Sequence, residues 1–278
     1  MGWFEALVLG VVQGLTEFLP ISSSGHVRVV SALFGWEDPG AAFSAVIQVG
    51  TELAVIVYFH KDIWAILRTW TLSLFRAELR SDPNARMGWF VIIGTIPIGV
   101  IGYAFQDIIE FQLRSLVYTA LALIIFGAIL GIADALAKNR KRLEHLTIRD
   151  ALLFGLAQCL ALIPGVSRSG GTITVGLLMG YRRSDAAKYS FLLAIPAVMA
   201  SAGLQTLKIG EQGTGGVGWG PTVLATVVAF AVALPTVKFL MDWVSRHTFS
   251  VFVFYRFGIG VLILLLLSAG VLAPMGGL

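Results

Sequence analysis

The chain alternates long apolar runs with short polar stretches, and six of the runs are long enough to form a membrane-spanning helix. About 20 helical residues cross the roughly 30 Å hydrocarbon core of a bilayer. The predicted spans are about 41–60, 87–106, 115–135, 187–207, 221–241 and 252–273. The pattern therefore predicts an all-α integral membrane protein with six full spans.

The first apolar run is followed by an arm that is too short to span. Residues 1–19 are compatible with a helix, but Pro20 and the polar cluster 22–25 interrupt the run before the short arm 27–36. An arm of about ten residues cannot cross the hydrocarbon core. We therefore predict a re-entrant helical hairpin that enters and leaves the membrane on one face.

A second hairpin is predicted in the later half of the chain. Thr147 and Asp150 have the spacing of a capping box, which favours a helix start. The apolar run that follows, 151–163, is broken at 164–165, and the short arm 172–180 returns. This stretch also predicts a re-entrant hairpin.

The two hairpin sequences resemble each other. A shift of 145 residues aligns Gly10 with Gly155, Gln13 with Gln158, Leu15 with Leu160, Ser22 with Ser167, Ser24 with Ser169, and Gly25 with Gly170. We predict one membrane domain, 1–278, built from repeat 1 at about 1–136 and repeat 2 at about 147–278. Each repeat has one hairpin and three spans, and an odd number of spans predicts an inverted-topology repeat.

Charged residues predict the orientation in the membrane. The loops 61–86 and 136–149 each carry five Lys or Arg residues, whereas the loop 107–114 is acidic. The positive-inside rule places both basic loops in the cytoplasm. The Gly-rich loop 210–220 and both termini are then outside. The first hairpin enters from outside and the second from the cytoplasm, so that their polar tips meet near the midplane.

Composition supports a membrane protein and argues against nucleic-acid binding. The chain is 57% hydrophobic and only 13% charged, with a mean hydropathy of +0.84, whereas soluble domains are typically about 25% charged. The net charge of +4 could suggest a nucleic-acid partner. The basic residues instead cluster in short loops between apolar runs, as in membrane proteins. The one cysteine, Cys159, excludes an intrachain disulfide.

The first hairpin tip concentrates polar chemistry inside an apolar segment. Gln13 and Glu17 are four residues apart and share one helix face, and Ser23 and His26 are three residues apart and share another. The turn between them starts a helix, whose free N–H groups and dipole favour a bound anion. The further phosphate-binding candidates at this tip are Ser22, Ser24 and Gly25.

The second tip adds a cation. Arg168 lies in the turn of the second hairpin, and its guanidinium can hold two phosphate oxygens at once. A charged side chain at the bilayer centre costs about 2.5–3.5 kcal/mol on insertion scales, so that pairing or ligand binding is expected. The phosphate-binding candidates around it are Gly165, Ser167, Ser169, Gly170 and Thr172.

Structural roles are the alternatives for these residues. Glu17 and Arg168 could form a structural ion pair, each of the serines 22–24 could be a helix cap, and His26 could be a structural histidine. Gln48 and Glu52, also four residues apart, could line the cavity, bind metal or form a hydrogen-bonded pair.

Two residues of the second hairpin have simpler interpretations. Gln158 is predicted to pack or to bridge polar groups, and Asp150 to act as a helix N-terminal charge.

At these residues the sequence closely resembles the undecaprenyl-pyrophosphate phosphatase family of bacterial bacitracin-resistance membrane proteins. Gln13-x-x-x-Glu17 matches a family motif in which the first residue is Glu or Gln, and Pro20-Ile-Ser-Ser-Ser-Gly-His26 matches the segment that follows it. Pro164-Gly-Val-Ser-Arg-Ser-Gly-Gly-Thr172 matches the second signature. The similarity covers essentially the whole chain, including the run from Ser190 to Pro196.

The resemblance implies a phosphatase that converts undecaprenyl diphosphate to undecaprenyl phosphate and inorganic phosphate. This reaction recycles the lipid carrier of cell-wall synthesis and confers bacitracin resistance. The resemblance also implies a divalent cation, Mg²⁺ or Ca²⁺, and an active site on the outer side of the bacterial plasma membrane. The expected partners are the polyprenyl diphosphate substrate, membrane lipids and, in a homodimer, a second copy of the chain.

We expect Ser23 to be the nucleophile, with His26 as general base or as the nucleophile itself. Glu17 would bind the metal or orient a base, helped by Gln13, and Glu52 is a further metal candidate. Arg168 and the two helix N-termini would stabilise the transferring phosphoryl group. The main alternative is a transporter or flippase for a polyprenyl phosphate, because transporters share inverted repeats with midplane hairpins. A structural scaffold would not explain ionisable residues at both tips.

Overall fold

The computed structural model describes residues 1–105, 115–212 and 218–274, without the side chains of residues 41 and 207–212. The predicted acidic loop 107–114 therefore lies outside the described residues, and so does the centre of the Gly-rich loop, 213–217. The α-helices in the described part are α1 (Trp3–Thr16), α2 (Ser23–Leu33), α3 (Gly40–Tyr58), α4 (His60–Ser73), α5 (Pro83–Ala104), α6 (Leu116–Leu136), α7 (Ile148–Cys159), α8 (Arg168–Leu178), α9 (Arg183–Gln212), α10 (Trp219–Val244) and α11 (Ser250–Ser268).

The all-α fold predicted from the apolar pattern is confirmed. Five helices are long and apolar enough to cross a membrane, namely α5, α6, α9, α10 and α11. The sixth predicted span, 41–60, corresponds to α3, and the bent pair that α3 forms with α4 is also long and apolar enough to cross a membrane.

The prediction of a loop over 61–86 is wrong for its first half. Helix α4 occupies His60–Ser73 and is bent by 83° from α3. Two of the basic residues that suggested a loop, Lys61 and Arg68, lie on this helix, which also carries Trp64 and Leu67, both more than half exposed. Charge alone was a poor guide here, because an amphipathic helix has one charged and one apolar face.

Both predicted hairpins are present as pairs of packed helices, α1 with α2 and α7 with α8. The return arms begin earlier than predicted, at Ser23 instead of 27 and at Arg168 instead of 172. The polar tip residues themselves therefore form the first helical turn, and the caps described below make this possible.

Small residues let the hairpins pack closely on the long helices. A Cβ atom added at Gly10 of α1 would lie 2.7 Å from the carbonyl oxygen of Ala225 in α10, and one added at Gly155 of α7 would lie 2.3 Å from that of Gly94 in α5. Close backbone approach through glycine is typical of helix packing in membranes. The aligned glycines of the two hairpins thus each contact a long helix.

The N-terminus of α7 confirms Thr147 as a cap and changes the interpretation of Asp150. The Thr147 hydroxyl accepts a hydrogen bond from the Asp150 N–H at 3.1 Å. The buried Asp150 carboxylate accepts from the Tyr181 hydroxyl at 2.7 Å and lies 3.8 Å from the Lys141 ammonium. Asp150 therefore joins the connection before α9 to the start of α7, in addition to placing a charge in the first turn.

Candidate active site

Arg168 joins the two hairpin tips. It is the first residue of α8, and its Nη2 atom lies 2.6 Å from Oε1 of Glu17, which follows α1, and 2.7 Å from Oε1 of Glu52 in α3. Glu17 and Glu52 are buried. The ion pair considered as an alternative for Glu17 and Arg168 is thus present, and Glu52 makes it a three-residue cluster.

The second carboxylate oxygen of Glu17 accepts hydrogen bonds from two polar residues of the first hairpin. Oε2 accepts a hydrogen bond from the Ser23 hydroxyl at 2.5 Å and another from the Gln13 amide at 2.7 Å. Glu17 therefore links the predicted nucleophile on one side to Arg168 on the other. A carboxylate at this distance can accept the serine proton.

His26 has partners other than Ser23. Its Nδ1 atom lies 2.7 Å from the carbonyl oxygen of Ser22, and its Nε2 atom lies 2.8 Å from the hydroxyl of Tyr255 in α11. The shared helix face predicted for Ser23 and His26 does not produce a hydrogen bond between them. The role of His26 as the base for Ser23 stays a prediction, because catalytic hydrogen bonds often form only with the substrate in place.

The two turns have the same backbone geometry. Ser22 and Ser167 cap α2 and α8 with positive φ angles of 75° and 73°. Their hydroxyls accept from the N–H groups of Gly25 at 3.4 Å and Gly170 at 3.1 Å. The capping alternative is thus correct for Ser22, and Ser167 has the same role in the second tip.

The serines two positions further on have matching contacts at the tips. The Ser24 hydroxyl lies 3.3 Å from that of Ser22, and the Ser169 hydroxyl lies 3.1 Å from that of Ser167. The Ser169 hydroxyl also donates to the Leu19 carbonyl oxygen at 3.3 Å. This bond ties the second tip to the backbone of the first.

The remaining candidates of the second tip support the turn. Gly165 has a φ of 98°, and an added Cβ would lie 2.4 Å from the Thr119 carbonyl oxygen, so that only glycine fits there. The Thr172 hydroxyl bonds the Arg168 carbonyl oxygen at 2.7 Å and the Ser190 hydroxyl at 2.5 Å. These contacts help to position Arg168. They engage the Thr172 hydroxyl with Arg168 and Ser190 and not with the carboxylate of Glu17.

Arg256 in α11 is a residue that the sequence analysis missed. It is fully buried, and its guanidinium donates hydrogen bonds to five backbone carbonyl groups. The acceptors are Pro20, Ala122, Leu123, Gly165 and Val166. Arg256 therefore fixes both tips to α6, and a lone arginine in an apolar run was the signal that could have revealed it.

The donors at the cluster fit a hard divalent cation in kind. Mg²⁺ and Ca²⁺ prefer carboxylate and carbonyl oxygens, which Glu17, Glu52 and Gln13 supply. One oxygen of Glu52, Oε2, is buried without a hydrogen-bond partner in the part of the chain that the structure describes. Two carboxylates against the single guanidinium of Arg168 also leave one formal negative charge, which favours an added cation.

The other predicted polar residue, Gln158, is fully buried and both its side-chain polar atoms lack partners among the described residues.

Comparison with known proteins matches the motifs to one family. The family model described as bacitracin resistance protein BacA matches residues 6–262. A Streptomyces coelicolor protein named undecaprenyl-diphosphatase 2 is 54% identical over 99% of this chain and 98% of its own length. A Thermobifida fusca undecaprenyl-diphosphatase is 55% identical over 100% of this chain and 94% of its own length. This multi-pass membrane chain therefore belongs to the bacitracin resistance protein BacA family.

Proposed function

We propose that this protein is an undecaprenyl-diphosphatase, which hydrolyses undecaprenyl diphosphate to undecaprenyl phosphate and inorganic phosphate. The observation that carries the proposal is the continuous contact from Ser23 through Glu17 to Arg168. It combines a hydroxyl nucleophile, a proton acceptor and a phosphate-binding cation. The activity printed for the relatives supports the same reaction, as does the role in bacitracin resistance named for the family.

In the proposed reaction Ser23 attacks the terminal phosphorus of the substrate. A bond forms between Ser23 Oγ and phosphorus, the phosphoanhydride P–O bond breaks, and undecaprenyl phosphate leaves with the electron pair of that bond. Glu17 takes the serine proton, since Oε2 is already within 2.5 Å of the hydroxyl. Water then hydrolyses the phosphoserine. The water oxygen bonds to phosphorus, the bond between phosphorus and Ser23 Oγ breaks, and Glu17 returns the proton to Ser23 Oγ as inorganic phosphate leaves.

Arg168 and the two helix starts would stabilise the charge of the transferring phosphoryl group. Arg168 Nη2 faces both carboxylates, and a planar guanidinium with five N–H donors can also bind phosphate oxygens. Preorganised donors of this type are typically worth about 10²–10³-fold in turnover. The phosphate-binding roles of Gln13, Ser24, Gly25, Ser169 and Gly170 remain part of the proposal.

A divalent cation would be held by Glu17 and Glu52, with the side-chain oxygen of Gln13. When bound, it would supply positive charge for the substrate's phosphate oxygens. Chelation should therefore lower phosphate release by about tenfold or more, and added Mg²⁺ or Ca²⁺ should restore it. Full activity in excess chelator would rule out the cation requirement.

We also propose an inverted-topology repeat with two re-entrant hairpins. Helix α1 packs on α10 and α7 packs on α5, while α3 packs on α9 and α6 on α11. This is the pairing expected if each half repeats the same order of elements and packs on the other. The site would open to the outer face, with both termini outside.

The proposed orientation has a direct labelling test in a Cys159→Ser background. A cysteine at Gly218 should react from outside intact cells, and one at Arg246 should react only after lysis. The reverse pattern would overturn the orientation. A homodimer stays a prediction that the cross-linking of differently tagged copies would test.

The decisive experiment on function uses purified protein in detergent. Wild-type protein should release inorganic phosphate from undecaprenyl diphosphate with Mg²⁺ or Ca²⁺, and Ser23→Ala should not. A transporter or flippase instead predicts that proteoliposomes move a labelled polyprenyl phosphate without releasing phosphate. Folded wild-type protein that moves lipid but releases no phosphate would overturn the enzyme proposal.

A further inference from the structure

One residue of α11, Tyr255, contacts the imidazole of the first tip. It lies on α11, 229 positions from His26, yet its hydroxyl is 2.8 Å from His26 Nε2. The two rings are also stacked, with centroids 5.5 Å apart and planes at 11°. A hydrogen bond and a stack from one residue constrain both the position and the rotation of the imidazole ring.

The partner of the other ring nitrogen decides the tautomer of His26. Nδ1 lies 2.7 Å from the Ser22 carbonyl oxygen, which can only accept a hydrogen bond. Nδ1 must therefore carry a proton, and in the neutral ring Nε2 is then an acceptor. It follows that the Tyr255 hydroxyl donates to Nε2.

The position of Tyr255 is itself fixed by the element that holds the two tips together. The next residue in α11 is Arg256, which is fully buried and bonds the Pro20 and Gly165 carbonyl oxygens of the two turns. The side chain of Tyr255 is 42% exposed, whereas His26 is 9% exposed. Tyr255 is thus the more exposed partner of the buried imidazole.

We propose that Tyr255 is a positioning residue for His26, which holds the imidazole in the Nδ1–H tautomer with Nε2 as a proton acceptor. In this state His26 can take a proton from the water that hydrolyses the phosphoserine, once Tyr255 releases Nε2, whereas the serine proton goes to Glu17. The proposal rests on the phosphatase function given above. It also separates Tyr255 from a purely structural tyrosine, which would stabilise the fold without setting the protonation pattern of its partner.

The test uses Tyr255→Phe, which keeps the stacked ring and removes only the hydroxyl. We expect kcat to fall about tenfold, the size of the loss of one hydrogen bond at about 1.4 kcal/mol, with KM changed less than twofold. His26→Ala should cost more, and Tyr255→Phe should add little to it in the double variant. The matched control, Tyr118→Phe on α6, should leave kcat unchanged.

A second measurement does not depend on activity. Nitrogen-15 spectra of histidine-labelled wild-type protein, with the His26 signals identified by their loss in His26→Gln, should show a protonated Nδ1 and an unprotonated Nε2. Tyr255→Phe should shift the Nε2 signal, and Tyr118→Phe should not.

The two measurements separate this proposal from the phosphatase function. Unchanged kcat and an unchanged Nε2 signal in Tyr255→Phe would overturn the proposal, and so would losses in kcat that multiply with His26→Ala. A shifted Nε2 signal in a wild-type background that releases no phosphate would support the contact between Tyr255 and His26 and overturn the phosphatase function alone.

Discussion

The two hairpin tips have the same turn and different chemistry. In both, a serine with positive φ caps the return helix and bonds an N–H three residues later. The residue after the cap is Ser23 in the first tip and Arg168 in the second, and the first arm ends in Glu17 where the second has Leu162. The backbone geometry is shared, whereas the side chains that can bind or transfer a phosphoryl group are divided between the tips.

This difference explains why neither tip would suffice alone. The first tip supplies a hydroxyl and an acid, which an isolated apolar hairpin would bury at a cost. The second supplies a cation whose only ion-pair partners among the described residues are Glu17 and Glu52. The ion pair satisfies both tips before substrate arrives, so that the site is assembled in advance.

The largest expected effect comes from removing the hydroxyl of the first tip. Ser23→Ala should lower phosphate release at least about 10³-fold, because the nucleophile is lost. Ser31→Ala, on the same helix, is the matched control and should stay within about tenfold of wild type, since the Ser31 hydroxyl donates to the Val27 carbonyl oxygen of its own helix. Equal losses in the two variants, measured by single-turnover phosphate release, would contradict the nucleophile assignment.

The cation of the second tip should have the next largest effect. Arg168→Lys keeps the charge but cannot bond Glu17, Glu52 and phosphate through a planar fork, and should lower kcat about 10²–10³-fold. Arg182→Lys, on the exposed connection before α9, should change kcat by less than about twofold. An active Arg168→Lys protein in steady-state assays would show that the guanidinium geometry is not needed.

Glu52 belongs to neither tip and should have a smaller effect. Glu52→Gln keeps an oxygen acceptor for Arg168 and removes one charge, so that a loss of about tenfold in kcat is expected from weaker positioning of the guanidinium. Glu5→Gln, near the N-terminus, is the control for removing a carboxylate. A Glu52→Gln variant with normal kcat but a lost response to Mg²⁺ or Ca²⁺ would assign Glu52 to the cation alone.

The smallest expected effect concerns the support of the second tip. Ser190→Ala removes the hydroxyl that bonds Thr172 one turn after Arg168, which should cost about 1 kcal/mol of unfolding free energy. Ser268→Ala, whose hydroxyl donates to the Leu265 carbonyl oxygen of its own helix, should cost less. Thermal unfolding in detergent measures both, and equal midpoints for Ser190→Ala and wild type would remove this support from the account.

Much of the fold and both tips could be predicted because their signals are local. Apolar length gave the spans, and proline with a serine and glycine cluster gave the two turns. Ser22 and Ser167 were foreseeable caps, because serine at a helix start followed by a free N–H is a local arrangement. Arg168 and Glu17 were foreseeable as partners only because a buried charge requires one.

The missed features depend on contacts between distant elements. The bond from Tyr255 to His26 and the contact of Glu52 with Arg168 follow from helix packing, which no local pattern encodes. Helix α4 was not predicted because the charged residues on one of its faces are also typical of a loop. Arg256 was the exception, since its position inside an apolar span was a visible signal.

A double-mutant cycle can show whether the two tips form one site. Glu17→Gln and Arg168→Lys, measured singly and together by kcat for phosphate release in protein shown to be folded, should each lose about 10²–10³-fold. If the tips act as one site, the double variant should lose little more than the worse single variant. Losses that multiply in the double variant would show that Glu17 and Arg168 act independently and would contradict the account.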